Sequence, residues 1–226
     1  MKFLTHLPFL STLTARAPRL TPRTVQGLDI SHYQNNPNLA EAHTVGLAVY
    51  IKATEGPTYI DPKFSSHYQD ATNASFLRGG YHVARLDLSP GPTQAQFFLA
   101  NGGGWAADGK TLPGLLSVGI DGGCGDMSVD ETRAWIRGFV EEYEGATTRS
   151  PVIGTRNEWW VECTGNTREF SEKSALMLAN AGESVGMIPG RWQFATIWQY
   201  KEGGAWGGNS NIFSGDAEAL RKLIDG

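Results

Sequence analysis

The strongest constraint on this chain is a repeating unit: a short apolar run ends on a polar residue or glycine, then a helix-like segment follows. "VQGLDIS" runs into Asp29 and Ser31, and the strand at 47–53 runs into Thr54, Glu55 and Gly56. Further strands are expected near 80–84, in "LPGLLSVGIDGG" at 112–123, and in "SPVIGTR", "EKSALMLANAG", "WQFATIWQY" and "NSNIFSG". Helical spacing is expected in 62–75 and 93–104 and in "DAEALRKLI". It is clearest in "SVDETRAWIRGFVEEYEG", where Ser128 and Glu131 form a capping-box pattern ahead of an apolar face from Trp135 to Tyr143.

Strands alternating with helices give a mainly parallel α/β sheet. About eight strands in a chain of this length favour an irregular TIM-like (β/α) barrel, with chemistry at the C-terminal ends of its strands. The polar residues there include Asp29, Glu55, Tyr81, His82, Asp121, Trp198 and Gln199. In the fourth strand Ser117, Gly119 and Asp121 would share one face by parity.

Composition narrows the partners. A net charge of -4 without a Lys/Arg run argues against nucleic acid and anionic membranes. The five histidines lack ligand spacing, so neither a metal nor a cofactor is expected. There is no serine-nucleophile elbow and no phosphate-binding glycine loop. Residues 1–24 read as a secretory signal peptide and linker: an early lysine, a short apolar run broken by His6 and Pro8, then Ala15-Arg16-Ala17. Residues 25–226 would form the barrel domain, extracellular and monomeric. The only two cysteines, Cys124 and Cys163, fit one disulfide or two buried thiols. Asp29 and Glu55, both at strand ends, suit acid/base chemistry. The alternative is a structural role in which they bond loop amides or an arginine.

A set of segments in fixed order adds a more specific reading. "VQGLDISHYQ", "AVYIKATEG", "RGGYHVAR", "TLPGLL", "AWIRGFVEEY", "WWVECTGN" and "IWQY" with "GGNSNIF" together resemble glycoside hydrolase family 25. These are the Chalaropsis-type lysozymes, muramidases that cut peptidoglycan. The resemblance runs from about Val25 to the C-terminus and implies an irregular eight-stranded barrel and a Cys124–Cys163 bond. It also implies which positions carry catalysis. The family's first acid matches Asp29. Its Asp-x-Glu pair falls on Ser117 and Gly119, and a further acid falls on Asn209, near Asn211. A cleft tyrosine falls on Gly154 and an Arg-Tyr pair on Asn180 and Ala181, and the loop after the fourth strand is shorter.

Three functions follow. The first is a secreted lysozyme-like pseudoenzyme that binds glycan or peptidoglycan fragments through Glu55, Tyr81, His82, Trp198 and Gln199, with Asp29 the retained acid. The second is an active muramidase with relocated carboxylates at Asp29, Asp121 and Glu55. The third is a secreted interaction protein or effector that does not use the cleft.

Overall fold

The computed structural model describes residues 25–43, 46–120, 122–204 and 207–225. The leader and linker expected at 1–24, and Asp121, lie outside the described residues. In chain order the elements are β1 (Val25–Ile30), α1 (Leu39–Ala42), β2 (Gly46–Glu55), β3 (Tyr59–Ile60), α2 (Phe64–Asn73), β4 (Leu77–Val83) and α3 (Gly91–Phe98). They continue as β5 (Leu115–Ser117), α4 (Val129–Thr147), β6 (Val152–Thr155), α5 (Asn157–Thr164), β7 (Leu176–Ala179), β8 (Ile197–Lys201), β9 (Asn209–Phe213) and α6 (Ala217–Asp225).

Among the described residues nine strands join in the order β1-β9-β8-β7-β6-β5-β4-β2-β3, and β1 also pairs with β2. Setting aside β3, a short hairpin arm on β2, the other eight therefore close into a barrel. Neighbours are parallel except at β9, which runs antiparallel to both β8 and β1. That reversal follows from the short link between β8 and β9, because a parallel crossover needs a dozen or more residues. Its consequence is positional: β9 starts, at Asn209, where the parallel strands end.

Strand parity divides the core into layers. Tyr50, Leu115, Val152, Met177, Ile197 and Phe213 fill the barrel floor, capped by Leu220 and Ile224 of α6. Their neighbours Leu116, Ile153, Leu176 and Leu178 point outward against Phe98, Phe139, Tyr143 and Trp160 of the helical layer. The capping box at Ser128 and Glu131 starts α4 as the sequence predicts.

The fourth strand differs from expectation. Only Leu115–Ser117 pair with neighbours, and Gly119 adopts φ +68. This left-handed turn ends the alternation after Ser117, so 117 and 119 do not share one strand face. Sequence reading also passed over α1, β3 and α5; Arg156 provides no side-chain cap to announce α5.

Candidate active site at the barrel mouth

Asp29 sits near the end of β1 and directly opposite Asn209 of β9. Asn211 opposes both Gly27 and Gln199, so the antiparallel strand brings two amides to the carboxylate and β8 brings a third. Asn209 Nδ2 donates to Asp29 Oδ1 at 2.9 Å. Gln199 Nε2 and Asn211 Nδ2 donate to Oδ2 at 2.8 and 3.0 Å. Burial pushes the Asp29 pKa up; the bonds from Asn211, Gln199 and Asn209 pull it back in part, and the net shift is upward. Three donors aimed at one carboxyl group organise it as a fixed acceptor, with Oδ1 bonded only once.

A cavity of about 200 Å³ opens beside it, lined by Asp29, Lys52, Tyr81, Ser117, Gln199 and Asn209, with an apolar wall that includes Val83, Leu115 and Met177. Ser117 is 9 % exposed, and its hydroxyl makes no hydrogen bond to the other described residues. Lys52, missed at the sequence level, is buried here, and its Nζ donates to Glu55 Oε2 at 2.6 Å. Parity with Tyr50 on β2 was the signal that could have found it.

Gly119 does not line the cavity. A Cβ built on it would overlap Cδ2, Cγ and Cε2 of the Trp159 ring. Trp159, on α5, is itself held against the same loop, because its Nε1 donates to Gly123 O at 3.0 Å. The Cys124–Cys163 disulfide ties that loop to the same helix, with the two Cα atoms 5.2 Å apart. Position 119 therefore lacks a side chain and also lacks the room for one.

The remaining expected site residues separate. Glu55 is bound by Lys52 and by Arg85 at 3.4 Å and lies outside the cavity lining. Partial burial pushes its pKa up, but Lys52 and then Arg85 outweigh this and hold it below the ordinary value. His82 is fully buried on the outer side of β4, with Nδ1 2.8 Å from Thr54 Oγ1 and Nε2 2.9 Å from Gln94 Oε1. Burial pushes its pKa down to about 4. Trp198 faces out of the barrel and donates to Asn180 O at 2.8 Å. Asn180 Nδ2 donates to the carbonyls of Ser184 and Val185, pinning its own loop. Among the described residues no His, Cys, Asp and Glu group is placed to hold a metal ion, and no helix is long and apolar enough to cross a membrane.

This architecture and this chain have close counterparts. The structure of a family GH25 lysozyme from Aspergillus fumigatus superposes with a TM-score of 0.88 at 48 % identity, covering 90 % of this chain and 100 % of that one. An N,O-diacetylmuramidase from Chalaropsis sp is 44 % identical over 211 residues, 90 % of this chain and 100 % of the relative. Lysozyme M1 from Streptomyces globisporus is 40 % identical over 210 residues, 89 % of this chain and 71 % of the relative. The model of the glycosyl hydrolases family 25 matches residues 28–209, a span that begins at the first strand of the mouth and ends on the amide opposite Asp29. With the closed barrel and these relatives in agreement, the chain belongs to glycosyl hydrolase family 25.

Proposed function

We propose that this chain is a secreted, catalytically silent family member that binds glycan or peptidoglycan fragments at the barrel mouth, its leader and linker occupying residues 1–24. The observation that carries this reading is position 119. Hydrolysis of a glycosidic bond needs a proton donor for the leaving oxygen and a second carboxylate near the anomeric carbon. The family resemblance assigns these roles to positions 117 and 119. Here they hold a serine and a glycine whose side-chain space is filled by Trp159. Loss of a general acid alone costs about 10²–10⁴ in rate.

The residues that remain suit recognition better than bond cleavage. Among the described residues Asp29 is the one carboxylate lining the cavity. Its amide clamp leaves Oδ1 able to accept from a sugar hydroxyl or an acetamido N–H. Ser117 can donate or accept, and Lys52 has ammonium hydrogens beyond the one given to Glu55. Glu55, tied to two cations, is poorly placed to replace the missing acid.

The test has two parts. Clearing of a bacterial cell-wall suspension by the purified chain is expected to be absent. Titration with solubilised peptidoglycan fragments is expected to saturate. Clearing at a rate comparable with an active lysozyme would favour relocated carboxylates. Absence of both clearing and saturable binding would favour an interaction protein that does not use the mouth.

A further inference from the structure

We propose that Tyr33 is a fixed platform for a second sugar ring, so that the mouth takes an oligosaccharide rather than a single residue. The proposal rests on the glycan-binding reading above and extends it to one named subsite.

Tyr33 is 80 % exposed, the most exposed large hydrophobic side chain among the described residues, and it also lines the mouth cavity. An exposed aromatic at the edge of a cavity needs an account only if it is held there, since scattered surface aromatics are ordinary. Tyr33 is held. Its ring lies 4.1 Å from the His32 ring, centroid to centroid, at an interplanar angle of 37°. His32 is in turn fixed by two bonds to one buried oxygen: its backbone N and its Nδ1 both donate to Asp61 Oδ2, at 3.1 and 2.8 Å. Asp61 is 2 % exposed and is itself anchored, accepting from Lys63 N at 2.9 Å and donating its own N–H to Ala53 O at 2.8 Å.

The backbone on the other side of Tyr33 is fixed too. Gln34 N donates to Ser31 O at 3.0 Å, and the Gln34 side chain accepts from Ser31 N and donates to Gly207 O, both at 2.8 Å. The segment is thus a short turn clamped to β2's end and to the loop before β9. Its one large apolar face is turned to solvent beside the cavity.

The occupant follows from continuity and shape. A pyranose ring has an apolar C–H face and a polar edge, which matches the flat face and rim hydroxyl of a tyrosine. A ring seated in the cavity would place the next unit of its chain at the rim, where Tyr33 stands. Because the platform is already ordered, stacking costs little conformational entropy.

The experiment is calorimetric titration of the full chain with N-acetylglucosamine, with its β-1,4-linked tetramer and with solubilised peptidoglycan fragments. The proteins compared are the wild type, Tyr33→Ala and Tyr33→Phe. Tyr33→Ala is expected to weaken tetramer binding about three- to tenfold, the scale of one aromatic contact, and to leave the monosaccharide unchanged. Tyr33→Phe is expected to bind both like the wild type. Unchanged tetramer affinity in Tyr33→Ala overturns the proposal. So does an equal loss for monosaccharide and tetramer, which would make Tyr33 a wall of the cavity instead. A wild type that binds none of the three ligands overturns the glycan-binding reading itself, and the subsite with it.

Discussion

At the scale of single residues, Gly119 decides the most. It combines φ +68 with a Trp159 ring where a side chain would start. Any L-residue there meets two penalties, about 1–2 kcal/mol for the left-handed backbone and about 1–3 kcal/mol for overpacking. Gly119→Ala is therefore expected to destabilise by about 2–5 kcal/mol, read from urea unfolding. In a Trp159→Leu background the same substitution should cost less, because only the backbone penalty remains; equal costs in both backgrounds would refute the steric account. A practical consequence concerns reconstruction of the acids. Ser117→Asp with Gly119→Glu and Asn209→Asp is expected to lower the midpoint further without producing lysis, since the new glutamate cannot reach the cavity past Trp159. Residue identity alone placed Asp29 and Gln199 at the mouth. What it could not give was their relation, because the amides of Asn209 and Asn211 meet Asp29 only through the antiparallel register of β9. Two candidates were excludable from sequence by parity. Tyr81 and His82 are adjacent on one strand, as are Trp198 and Gln199, so only one of each pair can face the barrel interior.

At the scale of elements, His82 binds three of them together. It joins β2 through Thr54 and α3 through Gln94, whose Nε2 donates to the carbonyls of Arg85 and Ser89. Because that amide is already oriented, Gln94 Oε1 must accept from His82 Nε2–H, and Nδ1 accepts from the Thr54 hydroxyl. The ring is neutral when folded, its pKa held at about 4 against 6.5 for the free side chain. The unfolded chain consequently binds more protons between those two values, and stability falls as pH drops through that window. The full contribution is present above about pH 6.5, and its upper bound is about 3 kcal/mol. His67, also pushed down by burial, adds in the same direction, whereas Asp29, pushed up, opposes it. Urea midpoints measured from about pH 7 down to about pH 4 should therefore decline. His82→Gln should flatten that decline in part, at the cost of a lower midpoint at neutral pH. An unchanged slope in the variant would show that His82 does not carry the effect. The long amphipathic α4, with its capping box, was legible from spacing alone, as were the centres of most strands. The short α5 and the end of β5 were not, because both depend on a loop whose path is set by Trp159 and the disulfide rather than by local propensity.

At the scale of the whole molecule, the barrel was readable from the alternation of strands and helices, and its irregularity from the missing helix between β8 and β9. Its closure rests on the pairing of β1 with β2, and outside the sheet the disulfide adds a long-range tether between the loop after β5 and α5. Cys124 and Cys163 are separated by 39 residues, a span that contains α4, β6 and most of α5. Closing a loop of that size removes unfolded-state entropy corresponding to about 4 kcal/mol at room temperature. The bond also anchors the loop that carries Gly119 and Gly123 against Trp159, so its effect is not confined to the unfolded chain. These two contributions can be separated in one denaturation experiment. If the bond acts only on the unfolded state, Cys124→Ser with Cys163→Ser lowers the urea midpoint and steepens the dependence on urea, because the released chain exposes more surface. Accessibility of Trp159 to a fluorescence quencher in the folded protein then stays as in the wild type. If the bond also holds the loop down, folded-state quenching of Trp159 rises in the serine variant well below the unfolding transition. The joint anchoring of this loop by the disulfide and by the Trp159–Gly123 hydrogen bond leads us to expect that rise. Its absence would leave the hydrogen bond and the ring packing as sufficient to keep position 119 closed.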